Sequence, residues 1–365
     1  MAFLYGKQWR KEELLKRVGD ISQVCGVRLS ELQDGPEKGV TVIDFWTGSG
    51  LRFTVIPSRG MDIGPAEYMG IPLAWQSQTK VIHPTFYEPE GFGWLRGFYG
   101  GLLVTCGLVH AGWPASDEGR SYGLHGRISY TPASNVAADG YWEGDEYVLR
   151  ACGRVREAMV FGENIELFRT IEARAGGRSI IVKDIVKNNG FEPSPLMLIY
   201  HCNLGFPVVN DGSTLISPSI EVTPRDEIAS KGINFWDKVE APTSGYKEQV
   251  FFHKLAASEN GETKIAMVNR ELMNGEGLGV YFRFNVNQFP TVIQWKMVGE
   301  GTYVVGIEPT NLEVVDRLKA KESGKLPTLQ PMEEREFWLE IGVLHGASEI
   351  EAFEAEVKAL LRAST

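Results

Sequence analysis

The sequence predicts an all-β protein, a sandwich or barrel with a short helix near each end, and three observations lead there. Runs with two-residue alternation or β-branched enrichment recur through the middle of the chain, bounded by Gly, Pro, Asn or Asp. Glycine supplies 41 of 365 residues, about 11% against a typical ~7%, as frequent tight turns require. Apolar residues at helical spacing are confined to the two ends.

The elements follow in order. KEELLKRV (11–18) has the pattern of a short amphipathic helix over about 10–18. Thr41 to Trp46, Leu51 to Ile56, Ile165 to Ile171, Ile180 to Val186, Gly279 to Asn287 and Thr291 to Met297 read as strands. Two long segments, Phe98 to Ser116 and Pro193 to Asn210, carry no formal charge and read as buried sheet beside a site; their Gly, Pro, His and Asn residues are unlike a lipid-facing helix. Residues 347–362 set Ile350, Phe353, Val357, Leu360 and Leu361 on one helical stripe.

Length alone would suggest two domains, at about 150 residues each. No composition break, linker or fixed-period repeat divides the chain, so a single domain over 1–365 is expected. Strands without intervening helices favour this architecture over a parallel α/β sheet.

Composition limits the partners. With 37 basic and 47 acidic residues the net charge is −10 and the pI about 5.3, opposite in sign to a nucleic-acid footprint. No membrane segment is evident, and MAFLYGKQWRKEELL lacks an apolar core with a cleavage site, so a cytoplasmic location is expected. Cys25, Cys106, Cys152 and Cys202 are widely spaced, with no Cys-x-x-Cys pair, and read as reduced, buried thiols. Exposed sheet edges would also permit a homodimer.

Motif chemistry is sparse. Arg96 stands where a dinucleotide fingerprint beginning at Gly91 and Gly93 needs glycine, and no phosphate loop, His-Glu-x-x-His or Gly-x-Ser-x-Gly elbow occurs. No cofactor is therefore expected. Among six histidines, His125 lies between Gly123 and Gly126, where backbone closely approaches a ligand, and His201 ends an apolar run that turns abruptly polar. Each could equally be a satisfied core histidine.

Glu308 follows Val304, Val305 and Ile307 and precedes a ladder-ending Pro309, so a carboxylate is carried to the edge of a buried strand. Such a charge is either functional or paired, with Arg59, Arg127 or Lys296 as candidate partners. Arg59 and Asp62, in the turn IPSRGMDIG, would either pair locally or offer donors and acceptors to sugar hydroxyls. Arg59, Arg127 and Lys296 could together form a local positive pocket for a uronate, sulfonate or phosphate. Trp75, Trp94, Trp113 and Trp295 could supply a platform for a pyranose face, although tryptophans in a β domain commonly belong to the core.

The segments LHGRIS (124–129), LIYHCNLGFP (198–207) and VVGIEPTN (304–311) occur in the order and approximate spacing of the three active-site segments of galactose mutarotase-like proteins. The chain resembles the aldose 1-epimerase family, in its branch of unassigned substrate. FTVIPSRGMDIGPAEYMGIPLAW and LQPMEEREFWLEIGVL resemble its opening and closing strands, so the resemblance runs from about residue 40 to 345. It implies a large antiparallel β-supersandwich and a carbohydrate epimerase interconverting sugar anomers by acid–base ring opening.

By the same resemblance Glu308 is the general base, His201 the general acid and His125 a sugar-binding histidine. Arg59, Asp62, Arg127, Lys296 and Trp295 are further candidate contacts to a monosaccharide or sugar derivative. Cys202, Asn203 and Leu204 stand where many galactose mutarotases have Pro, an aromatic residue and Asn, and Arg127 where a second glycine is frequent. Acting as an acid near neutrality, His201 would need a pKa at or above ~6.5, sustained by a nearby carboxylate. Two alternatives keep the same residues: His125, His201 and Glu308 as ligands of a divalent metal in epimerisation at another carbon, or a non-catalytic carbohydrate-binding protein.

Overall fold

The structure, a computed structural model, describes residues 1–364. Its scaffold is antiparallel β. An eight-stranded sheet runs, in spatial order, Ser134–Glu143, Glu146–Ala158, Asn164–Arg174, Ser179–Asn188, Glu334–His345, Leu278–Asn285, Glu262–Asn269 and Thr214–Ile216. A six-stranded sheet runs Ser219–Pro224, Gln249–Leu255, Thr291–Gly299, Thr302–Thr310, Ile199–Gly205 and Val104–Cys106. A five-stranded sheet near the N-terminus comprises Gly26–Glu31, Thr41–Trp46, Leu51–Ile56, Asp62–Tyr68 and Ile71–Pro72. The β-supersandwich expected from the resemblance is the observed architecture, and the six strands read from alternation fall in these sheets, with Gly279 to Asn287 ending two residues early at Asn285.

Alternation explains the layering. In Asn164–Arg174 every second residue, Ile165, Leu167, Arg169, Ile171 and Ala173, is buried, while the intervening ones are partly exposed. The apolar members join a cluster that also takes Tyr200, Leu204, Val305 and Ile307 from the six-stranded sheet and Val55 and Ile63 from the five-stranded one. The inner faces of three sheets thus share a core.

Arg169 occupies a parity otherwise kept for apolar residues, and it is fully buried. Directly opposite on the next strand is Asp184, to whose two carboxylate oxygens Arg169 Nε and Nη2 donate at 2.9 and 2.6 Å. Nη1 donates to Thr105 Oγ1 at 2.7 Å and lies 3.4 Å from Asp62 Oδ1. The Tyr200 hydroxyl donates to Asp184 Oδ2. One guanidinium therefore joins its own sheet to Asp62 of the five-stranded sheet and Thr105 of the six-stranded sheet.

The irregular parts depart from expectation for identifiable reasons. Phe98 to Ser116 is largely buried but holds only the strands Val104–Cys106 and, at its end, the start of Ala115–Asp117. Gly100, Gly101 and Gly112 adopt φ of +80°, +91° and +88°, outside the strand region. The N-terminal helix closes at Leu15 rather than near residue 18, and the internal helices Glu227–Gly232, Leu272–Gly275 and Arg317–Glu322 are too short to register as periodicity. The C-terminal helix Ala347–Ala363 packs Ile350, Phe353 and Val357 against Ala266, Val268 and Leu344. All four cysteines are free and buried, and no helix among the described residues is long and apolar enough to cross a membrane.

Breaking a buried ion pair on one side leaves its partner charge uncompensated. Arg169→Ala is expected to lower the unfolding free energy by about 3–5 kcal/mol in urea titrations, and a loss below about 1 kcal/mol would show that the sheets do not depend on this contact.

Candidate active site

The six-stranded sheet sets out the site by register. Ile199 pairs with Thr310 and Cys202 with Ile307, which brings His201 opposite Glu308. Glu308 pairs with Ile293, and Ile293 with Phe252. Directly opposed residues share a face, so these four side chains form one row across the cleft floor. Two positions along lies the Trp295–Gly306 pair. A Cβ on Gly306 would fall 2.7 Å from Glu308 Oε1 and 3.1 Å from Trp295 Cβ, so a missing side chain leaves room for the carboxylate.

His201 and Glu308 are 5% and 3% exposed, and His201 Nε2 lies 3.2 Å from Glu308 Oε1. The approach lacks hydrogen-bond alignment: Glu308 Oε1 and His201 Nδ1 are both buried without a hydrogen-bond partner. Burial pushes Glu308 well above the usual carboxylate range, with Glu248 adding to the rise and Arg225 opposing it. Burial lowers His201 to about 4, against the opposing effect of Asn203 and the backbone. The expectation of a pKa at or above ~6.5 is therefore corrected. Desolvation outweighs the neighbouring carboxylate because that carboxylate is itself disfavoured as an anion. Burial thus favours the uncharged form of each group, a carboxylic acid beside a neutral imidazole.

His125 enters from a loop. It has φ of +58°, its N–H donates to the Gly112 carbonyl at 2.8 Å, and its carbonyl accepts from Gly107 N–H at 3.0 Å. Its ring centroid lies 4.7 Å from that of Trp94 and 5.6 Å from that of His201. Burial, then His201 and His110, hold it well below the ordinary histidine pKa. Phe98 and Trp295, at 5.2 and 5.5 Å, complete the aromatic surround of His201. These groups line a cleft of about 1020 Å³.

His125, His201, Glu308 and Trp295 therefore converge, whereas four other candidates do not. Arg59 is buried beneath the loops, donating to the carbonyls of Ser129 (2.6 Å), Ile82 (3.1 Å) and Gly97 (3.0 Å), with Tyr130 stacked 3.9 Å from its guanidinium. Asp62 accepts from Thr105 N–H and Oγ1 at 2.9 and 2.7 Å and faces Arg169; it forms neither the expected local pair nor a cleft contact. Lys296 follows Trp295, so strand alternation turns it to the opposite face, where Nζ meets the Phe235 carbonyl at 3.1 Å and Glu240 at 2.6 Å. Arg127 is exposed, its guanidinium over Tyr87 at 5.6 Å. The positive pocket assembled from Arg59, Arg127 and Lys296 does not form.

The cleft's actual cation next to Trp295 is Arg225. Its Nη2 donates to Glu248 Oε1 at 2.9 Å, and Trp295 Nε1 donates to Glu248 Oε2 at 2.8 Å. Nothing in sequence marks these two residues, since they meet only through the pairing of neighbouring strands. Gly306 carried a readable signal, being a small residue two positions before Glu308 on the same strand face. Among the described residues, no three His, Cys, Asp or Glu side chains are grouped to hold a metal ion.

Solved structures share this architecture. A Klebsiella pneumoniae subsp. pneumoniae protein provisionally named an aldose 1-epimerase has a TM-score of 0.87 at 27% identity, covering 97% of this chain and 91% of that one. A galactose mutarotase-like protein of Clostridium acetobutylicum gives 0.61 at 14% identity, covering 88% and 99%. Galactose 1-epimerase of Lactobacillus acidophilus gives 0.56 at 11% identity, covering 88% and 100%; at such identities the last two share the fold. The fold is thus that of galactose mutarotase-like proteins. Within it, the chain belongs to the family described as a domain of unknown function, DUF4432, whose model matches residues 37–343. No curated protein matches the sequence.

The His201 resonance, assigned by its loss in His201→Asn, should titrate in NMR with a midpoint of about 4, the ring being neutral above it and charged below. A midpoint at or above the ordinary ~6.5 would mean that the pair rests as an ion pair.

Proposed function

We propose that this protein is a carbohydrate 1-epimerase, a mutarotase that interconverts the α and β anomers of a sugar, with Glu308 and His201 as its acid–base pair. The observation that carries the reading is the 3.2 Å approach of these two buried groups on the floor of an aromatic-walled cleft. The likeness to the Klebsiella protein supports it.

Anomer exchange needs one base and one acid, and no net proton. The O1 proton passes to the base as C1=O forms, the C1–O5 bond breaks with its electron pair moving to O5, and O5 takes a proton from the acid. Rotation about C1–C2 followed by the reverse transfers gives the other anomer. A pair sharing one proton meets this requirement. From the resting form, hydrogen bonds from sugar hydroxyls to Glu308 favour its anion, and transfer of its proton to His201 makes Glu308 the base at O1 and His201 the acid at O5. His125, whose Nδ1 is buried without a partner, serves as a contact to a sugar hydroxyl.

The active form is the singly protonated pair, so the pH profile is bell-shaped and its limbs belong to the pair. The acid limb should fall well below the ordinary histidine value, because the second proton must enter a dry site, and the alkaline limb should lie above the usual carboxylate range, because removing the first leaves a buried anion. Two-dimensional NMR exchange on a panel of aldoses, ketoses and uronates identifies the sugar. Glu308→Gln and His201→Asn should each slow exchange about 10²–10⁴-fold, and His125→Ala should chiefly raise KM. Catalysed exchange within a few-fold of wild type in either of the first two variants, with sugar still bound, would sink the assignment.

A further inference from the structure

Exchange at the anomeric carbon engages only the cleft floor, and the cleft extends well beyond it. Its volume of about 1020 Å³ stands at the top of the ~300–1,000 Å³ typical for sites enclosing drug-sized ligands. A single hexose is smaller than a drug-sized ligand and leaves part of such a cleft unfilled. The unused part has its own chemistry.

Phe92 and Trp113 line it, edge to face with centroids 5.4 Å apart, and remain 51% and 56% exposed. Large aromatic rings left open beside a cleft are a contact surface for a ligand with an apolar face. Between these rings and the floor stands Arg225, its guanidinium 5.6 Å from the Trp113 ring. Arg225 holds Glu248 at 2.9 Å, Glu248 holds the indole N–H of Trp295 at 2.8 Å, and the Trp295 ring is 5.5 Å from His201. A continuous set of contacts thus links the acid–base pair to the outer aromatic rings.

We propose that the outer cleft is a second sugar subsite, and that the preferred substrate is a reducing disaccharide rather than a free monosaccharide. The inference rests on the reading that the anomeric carbon sits against Glu308 and His201 on the cleft floor. The reducing ring then enters with C1 leading, and the ring glycosidically linked to it trails toward the mouth. A pyranose has a face of C–H bonds and a rim of hydroxyls. The Trp113 and Phe92 rings take the face, while the fork of Arg225 donors and the Glu248 carboxylate take neighbouring hydroxyls. The charge of Arg225 is already matched by Glu248 and by Asp226, to which Nε donates at 2.9 Å, so the subsite is suited to a neutral sugar and not to an anionic substituent.

The test compares maltose, cellobiose and lactose with glucose, and β-1,4-galactobiose with galactose, by calorimetric binding and by NMR anomer exchange on the full chain. At least one disaccharide should bind about tenfold more tightly than its own reducing monosaccharide, as expected when an aromatic anchor is engaged. Trp113→Ala and Arg225→Gln should each bring that ratio back toward one. Both rings of the platform are half exposed, so their truncation spares the core, and Phe92→Ala provides a second probe. A ratio at or below one for every pair, no binding at all, or a preference that survives these substitutions overturns the subsite. Disaccharide preference without anomer exchange would keep the subsite and reject the mutarotase reading; exchange without the preference would do the reverse.

Discussion

The architecture depends on a buried cation. Arg169 sits where its strand otherwise carries only apolar side chains, and it is retained because Asp184 opposes it, Asp62 approaches from the five-stranded sheet, and Thr105 accepts from the six-stranded sheet. A guanidinium out of water is tolerable only when its donors are matched by well-placed acceptors. That requirement fixes how the three sheets sit relative to one another more sharply than apolar contact does, because apolar packing tolerates sliding and a bidentate ion pair does not. Tyr200, which donates to Asp184, precedes His201, and Thr105 pairs with Tyr200 across the strands, so the clip holds the underside of the cleft floor.

Above that floor, dryness governs the chemistry. Burial raises Glu308 and lowers His201, and it holds His125 well below the ordinary histidine value as well. With ordinary values a proton shared by the two groups would sit on the imidazole; here burial favours the carboxyl. Hydroxyl donors brought to the atoms that lack partners would shift that balance toward the carboxylate. Aromatic rings from two separate segments, Trp94 and Phe98 in one and Trp295 in the other, maintain that environment.

Which residues belong to the site was partly legible. His125, His201 and Glu308 stand in short segments with glycine, proline or an abrupt change of polarity, signals that survive in one dimension. Arg59 and Asp62 gave a similar local signal for a different reason: the turn IPSRGMDIG positions them, but the turn faces inward and their partners are carbonyls and a strand edge far away in sequence. Trp295 and Lys296 show the limit most plainly. They are adjacent, and a strand sends adjacent side chains to opposite faces, so at most one could reach the cleft. Alternation alone would have rejected the pair, but choosing between them required knowing which face forms the cleft.

The sequence by itself determined the all-β class, strands between Thr41 and Met297 and the C-terminal amphipathic helix, because two-residue alternation, glycine turns and helical spacing are local properties; His201 and Glu308 stood out as acid–base candidates through the resemblance of their segments. Tertiary structure alone decided which residues share a cleft, how the proton is held there, and where the charge of Arg225 and Glu248 falls. Those outcomes depend on strand register and on desolvation, and both are created only when segments far apart in the chain pack together.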